Sequence, residues 1–461
     1  MKETVTDIEE VVKTVLFRNK ELSLRVSALE AENAELRERL SRYEKPAKDS
    51  HNSSIPPAVE NLKAQAVRRT RSLRPAGGSR RTGGQPGHEG VTLLISDTPD
   101  VIQTHSPDYC SSCGLSLSSI PGKEAETRQS IDIPLPVCPV VTSHVSIEKT
   151  CACGKCNRGT FPLHVKPGVS YGVNIHAAVA YLSTVQHIPF KRLTDVVRDL
   201  YGMDISQGTV SNMLNRMRRQ SRPGYEAIRQ RIEKSPVVGA DETGAHLNGV
   251  LHWMWTFQDA LTTFIFQHES RGKAAIDRHF TRGLPKSILV TDRHSSYFNM
   301  VTAGHQICLA HLLRDLLYLG ELDKEQKWSS SLLALLRESI HRKKTTPVTE
   351  IDTGSIKERF HDLMKQDLSG LNRQFTALQK SLIRHSEHLF QFLEFAHVPY
   401  DNNASERSIR PLKVKQKVSG MFKSEHGADA FCQLYSIVDT ARKNKQDPFL
   451  ALIAVAENIT E

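Results

Sequence analysis

Between Pro236 and Asp292, short apolar runs alternate with polar breaks in an order that few folds can accept. "VVGAD" ends at Asp241. "HWMWTFQ" and "TTFIFQ" follow, separated by the turn-like Asp259-Ala260-Leu261. "SRGKAAIDRHF" has helical spacing, and "SILVTD" closes the series at Asp292. Runs this short, rich in β-branched and aromatic residues, predict strands. Three strands, a helix and a fourth strand make a mixed sheet, with acids at the C-terminal ends of the first and fourth. A carboxylate at the end of a buried strand needs a partner or a metal ion. Neighbouring strand ends can bring two such acids together, where a divalent cation would relieve their repulsion.

Two carboxylates are too few for a pair of ions, and "DNNASERSIRPLK" (401–413) offers a third. Glu406 is the only acid between Asp401 and Glu425, among Arg407, Arg410, Lys413, Lys415, Lys417 and Lys423. Mg²⁺ prefers carboxylate oxygens and keeps some water, which leaves room for phosphate oxygens. Two ions about 3.5 to 4 Å apart can activate a nucleophile and stabilise a leaving oxygen in phosphodiester chemistry. Local roles also account for each acid singly. Asp241 can serve a turn, Asp292 can cap the helix of "RHSSYF", and Glu406 can complete a capping box opened by Asn403 or pair with Arg410.

The first segment has a heptad rhythm. Ile8, Val12, Val15, Asn19, Leu22, Val26, Leu29, Asn33, Leu36, Leu40 and Tyr43 alternate spacings of four and three. This predicts a coiled coil, with Asn19 and Asn33 at a positions that favour a parallel dimer. A Pro-, Gly- and Ser-rich stretch follows, carrying Arg68, Arg69, Arg71, Arg74, Arg80 and Arg81. It reads as a basic linker able to neutralise phosphates without reading sequence, or as a plain tether. Cys110-Ser-Ser-Cys113 and Cys151-Ala-Cys153-Gly-Lys-Cys156 then form two thiol knuckles. Their spacing predicts structural zinc on Cys110, Cys113, Cys151 and Cys153, with Cys156 the alternative to Cys151. Cys138 reads as a buried small hydrophobe.

From Tyr171 to Arg222 the pattern is helical. "FKRLTDVVRDL" ends at Tyr201-Gly202, and "SQGTVSNMLNRMRR" opens with Ser206 as its predicted N-cap. The pair fits a helix-turn-helix, with Gln207, Thr209, Ser211 and Asn212 available to a DNA groove. The formal net charge of +10 suits a phosphate-rich partner. No apolar run approaches the roughly 18 to 20 residues that span a bilayer, and the start lacks a signal-peptide h-region. The expectation is a cytoplasmic, nucleoid-associated protein without membrane contact, whose cysteines serve metal binding or burial rather than disulfides.

Several stretches together resemble the DDE transposases of the insertion-sequence-66 family: "GGQPGHEG" (83–90), the cysteine knuckles, "ISQGTVSNML" (205–214), "ADETG" (240–244), "VTDRHSSY" (290–297), "CLAHLLRDL" (308–316) and "DNNASERSIRPLK" (401–413). The resemblance covers almost the whole chain. It implies a multidomain α+β protein: an N-terminal coiled coil, a small zinc-binding domain, and a ribonuclease-H-like α/β catalytic core with a helical insertion. The boundaries expected are 1–45 for the coiled coil, 46–100 for the linker, 101–168 for the zinc domain and 169–232 for the helix-turn-helix region. The core would take 233–300 and 399–461, separated by an insertion at 301–398 that includes the helical "SSSLLALLRESIHRK". Asp241, Asp292 and Glu406 would hold two Mg²⁺ or Mn²⁺ ions, and bacterial elements of this kind also encode accessory proteins. Cys156 departs from the family's cysteine pattern and leaves the fourth zinc ligand open. Other DDE transposases carry a Cys-x-x-His after the second acid, and Cys308 and His311 are expected here to pack and hydrogen bond at a helix start.

The activity expected is cleavage at the ends of an insertion element and joining of the freed 3′-hydroxyl to target DNA. Arg407, Arg410 and Lys413 would face phosphates, and so would Arg271 and Lys273. A non-catalytic dimeric zinc-containing DNA-binding regulator, or a nuclease on the same core, would share most of these features.

Overall fold

The structure is a computed structural model. It describes residues 18–33, 35–36, 97–109, 111–121, 127–130, 139–150, 152–153, 155–162, 165 and 170–458. Most of the basic linker, and the heptad positions before residue 18 and after 36, lie outside these residues, as do Cys110, Cys138 and Cys151. Residues 18–33 are helical, and the seam side chains Leu22, Val26 and Leu29 stand exposed. In the cysteine segment, β1 (Glu148–Thr150) and β2 (Cys156–Arg158) form an antiparallel pair with Thr150 opposite Cys156.

Three helices lead into the main sheet: α1 (Val173–Thr184), α2 (Phe190–Tyr201) and α3 (Gln207–Lys234). Gly202 ends α2 in the left-handed conformation that a residue with a side chain adopts only at a cost. Ser206 caps α3 as its sequence predicts, its hydroxyl accepting the Thr209 N–H at 3.0 Å. The helix continues well beyond the helix-turn-helix stretch, through Pro223.

The sheet contains β3 (Val237–Leu247), β4 (Val250–Gln258), β5 (Thr263–His268), β6 (Leu284–Thr291) and β7 (Thr302–Ile307), in the order β5-β4-β3-β6-β7. β3, β4 and β5 form an antiparallel meander, while β6 and β7 run parallel to β3. The four strands read from the sequence are present, with three differences. β3 does not stop at Asp241 but continues to Leu247, where Asn248 and Gly249, both at positive φ, turn the chain into β4. An Asn-Gly turn between strands favours this tight hairpin. The helix expected around "SRGKAAIDRHF" is confined to α4 (Lys273–Asp277). β7 is a fifth strand inside the segment assigned to the insertion, so the helical stretch begins later, at Leu309.

A short helix, α5 (Ser295–Phe298), joins β6 to β7. The helical stretch then contains α6 (Leu309–Leu322), α7 (Trp328–Thr345), α8 (Thr353–Met364), α9 (Arg373–Arg384) and α10 (Gln391–Glu394). Its own core includes Leu316, Leu332, Leu336, Phe360, Phe375 and Phe392. The chain returns to the sheet as α11 (Asn403–Ser419), followed by α12 (Glu425–Lys443) and α13 (Pro448–Glu457). One face of the sheet packs on α1, α3, α11 and α12 through Met254, Ile265, Met217, Leu412 and Leu434. The other carries Trp255, Phe257, Phe266, Phe280 and Tyr297. Among the described residues no helix is long and apolar enough to cross a membrane.

Candidate active site

β3 pairs with β6 only from Val237 to Gly239, so the two strands part just before Asp241 and Asp292. Asp241 sits on β3 opposite Thr256 of β4, and Asp292 follows the last residue of β6. The Asp292 carboxylate accepts the His294 N–H at 2.9 Å, but His294 is the N-cap of α5 and no side chain caps that helix, so the capping role offered for Asp292 is not seen. That bond occupies one oxygen and leaves the other for different work.

Glu406 reaches the same place on α11. Gly239 allows the approach, because a Cβ there would lie 2.4 Å from Ser405 Oγ and 2.9 Å from Asn402 Oδ1. Buried Asn402 fastens the helix: its amide donates to the Ala240 carbonyl at 2.7 Å, and its backbone N–H points to Cys308 Sγ at 3.2 Å. Asn402, not Asn403, precedes the helix, so Glu406 is one position too late for the capping box and makes no cap. The residue after Ala240 is Asp241, so a single side chain ties the strand of the first acid to the helix of the third.

Two bases lie loosely beside these acids: His311 near Glu406, and Lys413, whose amine feels the charge of Asp241. The Asp241 carboxyl is held well above its ordinary range, first by burial and then by the charges of Glu242, Asp292 and Glu406. Glu406 Oε1 is buried without a hydrogen-bond partner. The nearest base, His311 Nε2, stands 3.5 Å away, too far for a good hydrogen bond. Among the described residues, no three His, Cys, Asp or Glu side chains converge closely enough to hold a metal ion as they stand. The acids are thus within electrostatic reach of one another without forming a finished cage. Uncompensated carboxylates repel, and the oxygen-only donor set with an orphaned oxygen matches what a hard divalent cation would satisfy.

Cys308 and His311 open α6 beside this site. Cys308 is buried, and burial raises its thiol to about 11, so it is a neutral packing group that meets the Asn402 N–H. His311 faces Glu406. This agrees with the packing role expected for the pair and locates it between the second and third acids.

The basic residues divide. Arg407 and Arg410 are exposed on α11. Lys413 is exposed along its stem, but its Nζ donates to the Gly244 carbonyl at 3.1 Å. Lys415 is turned inward, bonded to the Ser183 carbonyl at 3.2 Å, and burial lowers it to about 8. Arg271 does not stand free for phosphate: it donates twice to Glu242 Oε1, at 2.7 and 2.9 Å, and lies over the Trp253 ring. Lys273 is exposed and 3.9 Å from Asp277. At the helix pair, Gln207 and Asn212 are exposed, while Thr209 and Ser211 are partly covered. Cys113, Cys153 and Cys156 are exposed free thiols, and the remaining members of the zinc set, Cys110 and Cys151, lie outside the described residues.

Glu242 was overlooked by sequence reasoning. It follows Asp241, points to the opposite face of the strand, and is 1% exposed at the side chain. Arg271 and the Tyr297 hydroxyl both donate to it. Alternation along β3 was the available signal, since consecutive acids in a strand cannot share a face.

Residues 168–430 match the transposase IS66 family. The chain belongs to that family. Residues 4–93 match a second family, DUF6444, of unknown function. Two relatives from Sinorhizobium fredii, the uncharacterized proteins y4qI and y4jD, are each 23% identical to this IS66-family chain. The first alignment covers 62% of this chain and 59% of the relative, the second 83% and 81%. The chain thus spans about three fifths of the first relative's length.

Proposed function

We propose that this IS66-family protein is a DNA transposase that cuts at the ends of its element and joins the freed ends to target DNA, with Asp241, Asp292 and Glu406 as its catalytic acids. The observation that carries this is that three acids from three separate elements, one on β3, one after β6 and one on α11, lie within electrostatic reach at Asp241, with His311 the one base in ion-pair range of Glu406. The sheet order, an antiparallel three-stranded meander with two parallel strands beside it, supports a ribonuclease-H-like core interrupted by helices before the third acid.

The three carboxylates would hold divalent cations, Mg²⁺ or Mn²⁺. When bound, such ions lower the pKa of a hydroxyl nucleophile and stabilise charge on the leaving oxygen. The protein's own part is positioning. Asn402 keeps Glu406 against β3, the parting of β3 from β6 opens the space between Asp241 and Asp292, and Arg407 and Arg410 present charge to the phosphates on either side. In the first reaction water displaces a 3′-oxygen from phosphorus. In the second that 3′-hydroxyl displaces another, so one P–O bond forms as one breaks, and no covalent protein intermediate is needed.

DNA is the partner in this reading, with a parallel dimer through the heptads and structural zinc at the knuckles as supports, and accessory proteins of the element as further partners. A regulator without catalysis would give no role to three mutually repelling acids that cost stability. The test is an in vitro joining assay using duplexes from the DNA flanking the gene, with Mg²⁺ or with chelator. Joined strands should form only with the ion, and Asp241→Ala, Asp292→Ala and Glu406→Ala should each abolish them. Any of the three that retains wild-type joining sinks the assignment of that acid.

A further inference from the structure

The hairpin joining β3 to β4 projects beyond the acids, and nothing in the chain's own core explains its tip. Val250 is 62% exposed and Leu251 is 48% exposed. Strand alternation places them on opposite faces, so the tip is apolar on both sides.

The tip is also braced. Asn248 N–H donates to the Phe422 carbonyl at 2.8 Å, and Phe422 N–H returns a bond to the His246 carbonyl at 3.0 Å. Buried Phe422 thereby locks the end of α11 to the hairpin, and Lys413 clamps it further back at Gly244. Beside the tip lies exposed Met421, flanked by exposed Lys417 and Lys423. Positions 406, 410, 413 and 417 share one side of a helix, so a basic stripe of Arg410, Lys413 and Lys417 runs from beside Glu406 toward the tip. From Arg407 to Lys423 there is no acidic residue.

We propose that the hairpin tip, through Val250 and Leu251, is an apolar wedge that enters the groove of bound duplex DNA. Lys417 and Lys423 would hold the flanking phosphates. The occupant is DNA because the same surface combines an acid-free basic stripe, continuity with the catalytic acids and a rigid apolar point. Proteins that deform DNA insert apolar wedges between base steps in this way. From Asp241 to Asn248 the strand covers roughly 23 Å at about 3.3 Å per residue. At about 3.4 Å per base pair, the wedge meets the duplex roughly seven pairs from the phosphate held by the acids.

This inference rests on the transposase reading, and the experiment separates the two. Full-length protein is bound in chelator to a flanking-DNA duplex carrying 2-aminopurine at successive positions, and joining is measured in parallel with Mg²⁺. The wild type should raise 2-aminopurine fluorescence severalfold at about six to eight pairs from the cleavage point. Val250→Ser/Leu251→Ser should lose that signal and bind about 10-fold more weakly, with unchanged thermal unfolding. Lys417→Ala/Lys423→Ala should keep the signal and reduce the salt dependence of binding by about two ions. If the serine variant keeps both signal and affinity while the wild type joins DNA, the wedge is wrong and the transposase reading stands. If that variant instead changes the oligomeric state without DNA, the tip is an interface between copies, and the proposal also falls. A wild type that neither binds nor joins the duplex removes both.

Discussion

Asp241 and Glu242 are adjacent acids on one strand, and the fold treats them in opposite ways. Glu242 is buried against Arg271 and Tyr297, with its charge matched and its lone pairs used. Asp241, on the other face, looks toward Asp292 and Glu406, and its carboxyl is pushed up by burial and by those neighbours. The first arrangement is how a protein stabilises a buried charge. The second is a carboxyl disfavoured by burial and by like charges, with the Glu242 N–H as its hydrogen-bond donor.

The largest effect should come from breaking the unsatisfied side. Asp241→Asn should lower joining by at least about 10³-fold, roughly 4 kcal/mol of transition-state stabilisation. The same substitution should not lower the thermal midpoint, because it removes repulsion while the amide oxygen of Asn can still accept the Glu242 N–H. Mg²⁺ at about 100 times its dissociation constant should stabilise the wild type by about 2.7 kcal/mol and the variant far less. A wild type whose unfolding ignores Mg²⁺ and Mn²⁺ would remove the distinction between the two acids.

Glu242→Ala should do the reverse. Removing the carboxylate strands Arg271 and Tyr297, and stability should fall by about 3 kcal/mol, at the low end for a buried pair because Arg271 is 43% exposed. Calorimetry or chemical unfolding reads this directly. Joining measured well below the new midpoint should be affected far less than by Asp241→Asn. Equal losses of activity from the two variants would mean that both acids belong to one site.

How much of this was legible depended on what each residue does. Strands β3 to β6 were readable because their apolar runs face a core on both sides, and Ser206 because a hydroxyl before a helix has one dominant use. β7 was not: "TAGHQI" buries His305 and Gln306, with Ile307 its one buried large hydrophobe. Those two are satisfied by hydrogen bonds to Thr291 and to the Ile307 and Leu389 carbonyls. Partners as much as 83 residues away leave no periodicity to read. Asp292 was legible as a strand end and Glu406 as a lone carboxylate among cations, whereas Asp241 lies inside β3, six residues before its end. The Glu242–Arg271 pair, 29 positions apart, depends on the sheet bringing β3 beside the turn after β5.

Lys415 tests whether unpaired burial carries the cost assigned to Asp241, since it too is buried without a counter-ion. Its amine titrates at about 8 in the fold, against 10.5 ordinarily, chiefly because burial disfavours the charge. Below pH 8 both folded and unfolded chains carry the proton, so the penalty is at its full size, about 3 kcal/mol at 1.36 per unit. Between pH 8 and 10.5 the folded chain sheds the proton first and the penalty fades. Lys415→Met gives up the bond to Ser183, which offsets about 1 kcal/mol. It should therefore stabilise the protein by about 2 kcal/mol at pH 7, with the gain shrinking toward pH 10. A destabilised variant at pH 7 would show that buried charge here is offset by its hydrogen bond, and would weaken the same inference for Asp241.

The smallest effect should be at Lys273, whose partner Asp277 is 3.9 Å away on an exposed turn of helix. Solvent and salt screen such a pair, so Lys273→Ala should change stability by a few tenths of a kcal/mol at most. Its contribution to DNA binding can then be read without a folding correction. If Lys273, the first residue of α4, contacts phosphate as expected, the salt dependence of binding should fall by about one ion. Arg271→Ala cannot be read so simply, because it also strands Glu242. The comparison of the two variants in one salt titration therefore distinguishes a cation that meets DNA from one spent on holding the neighbouring acid.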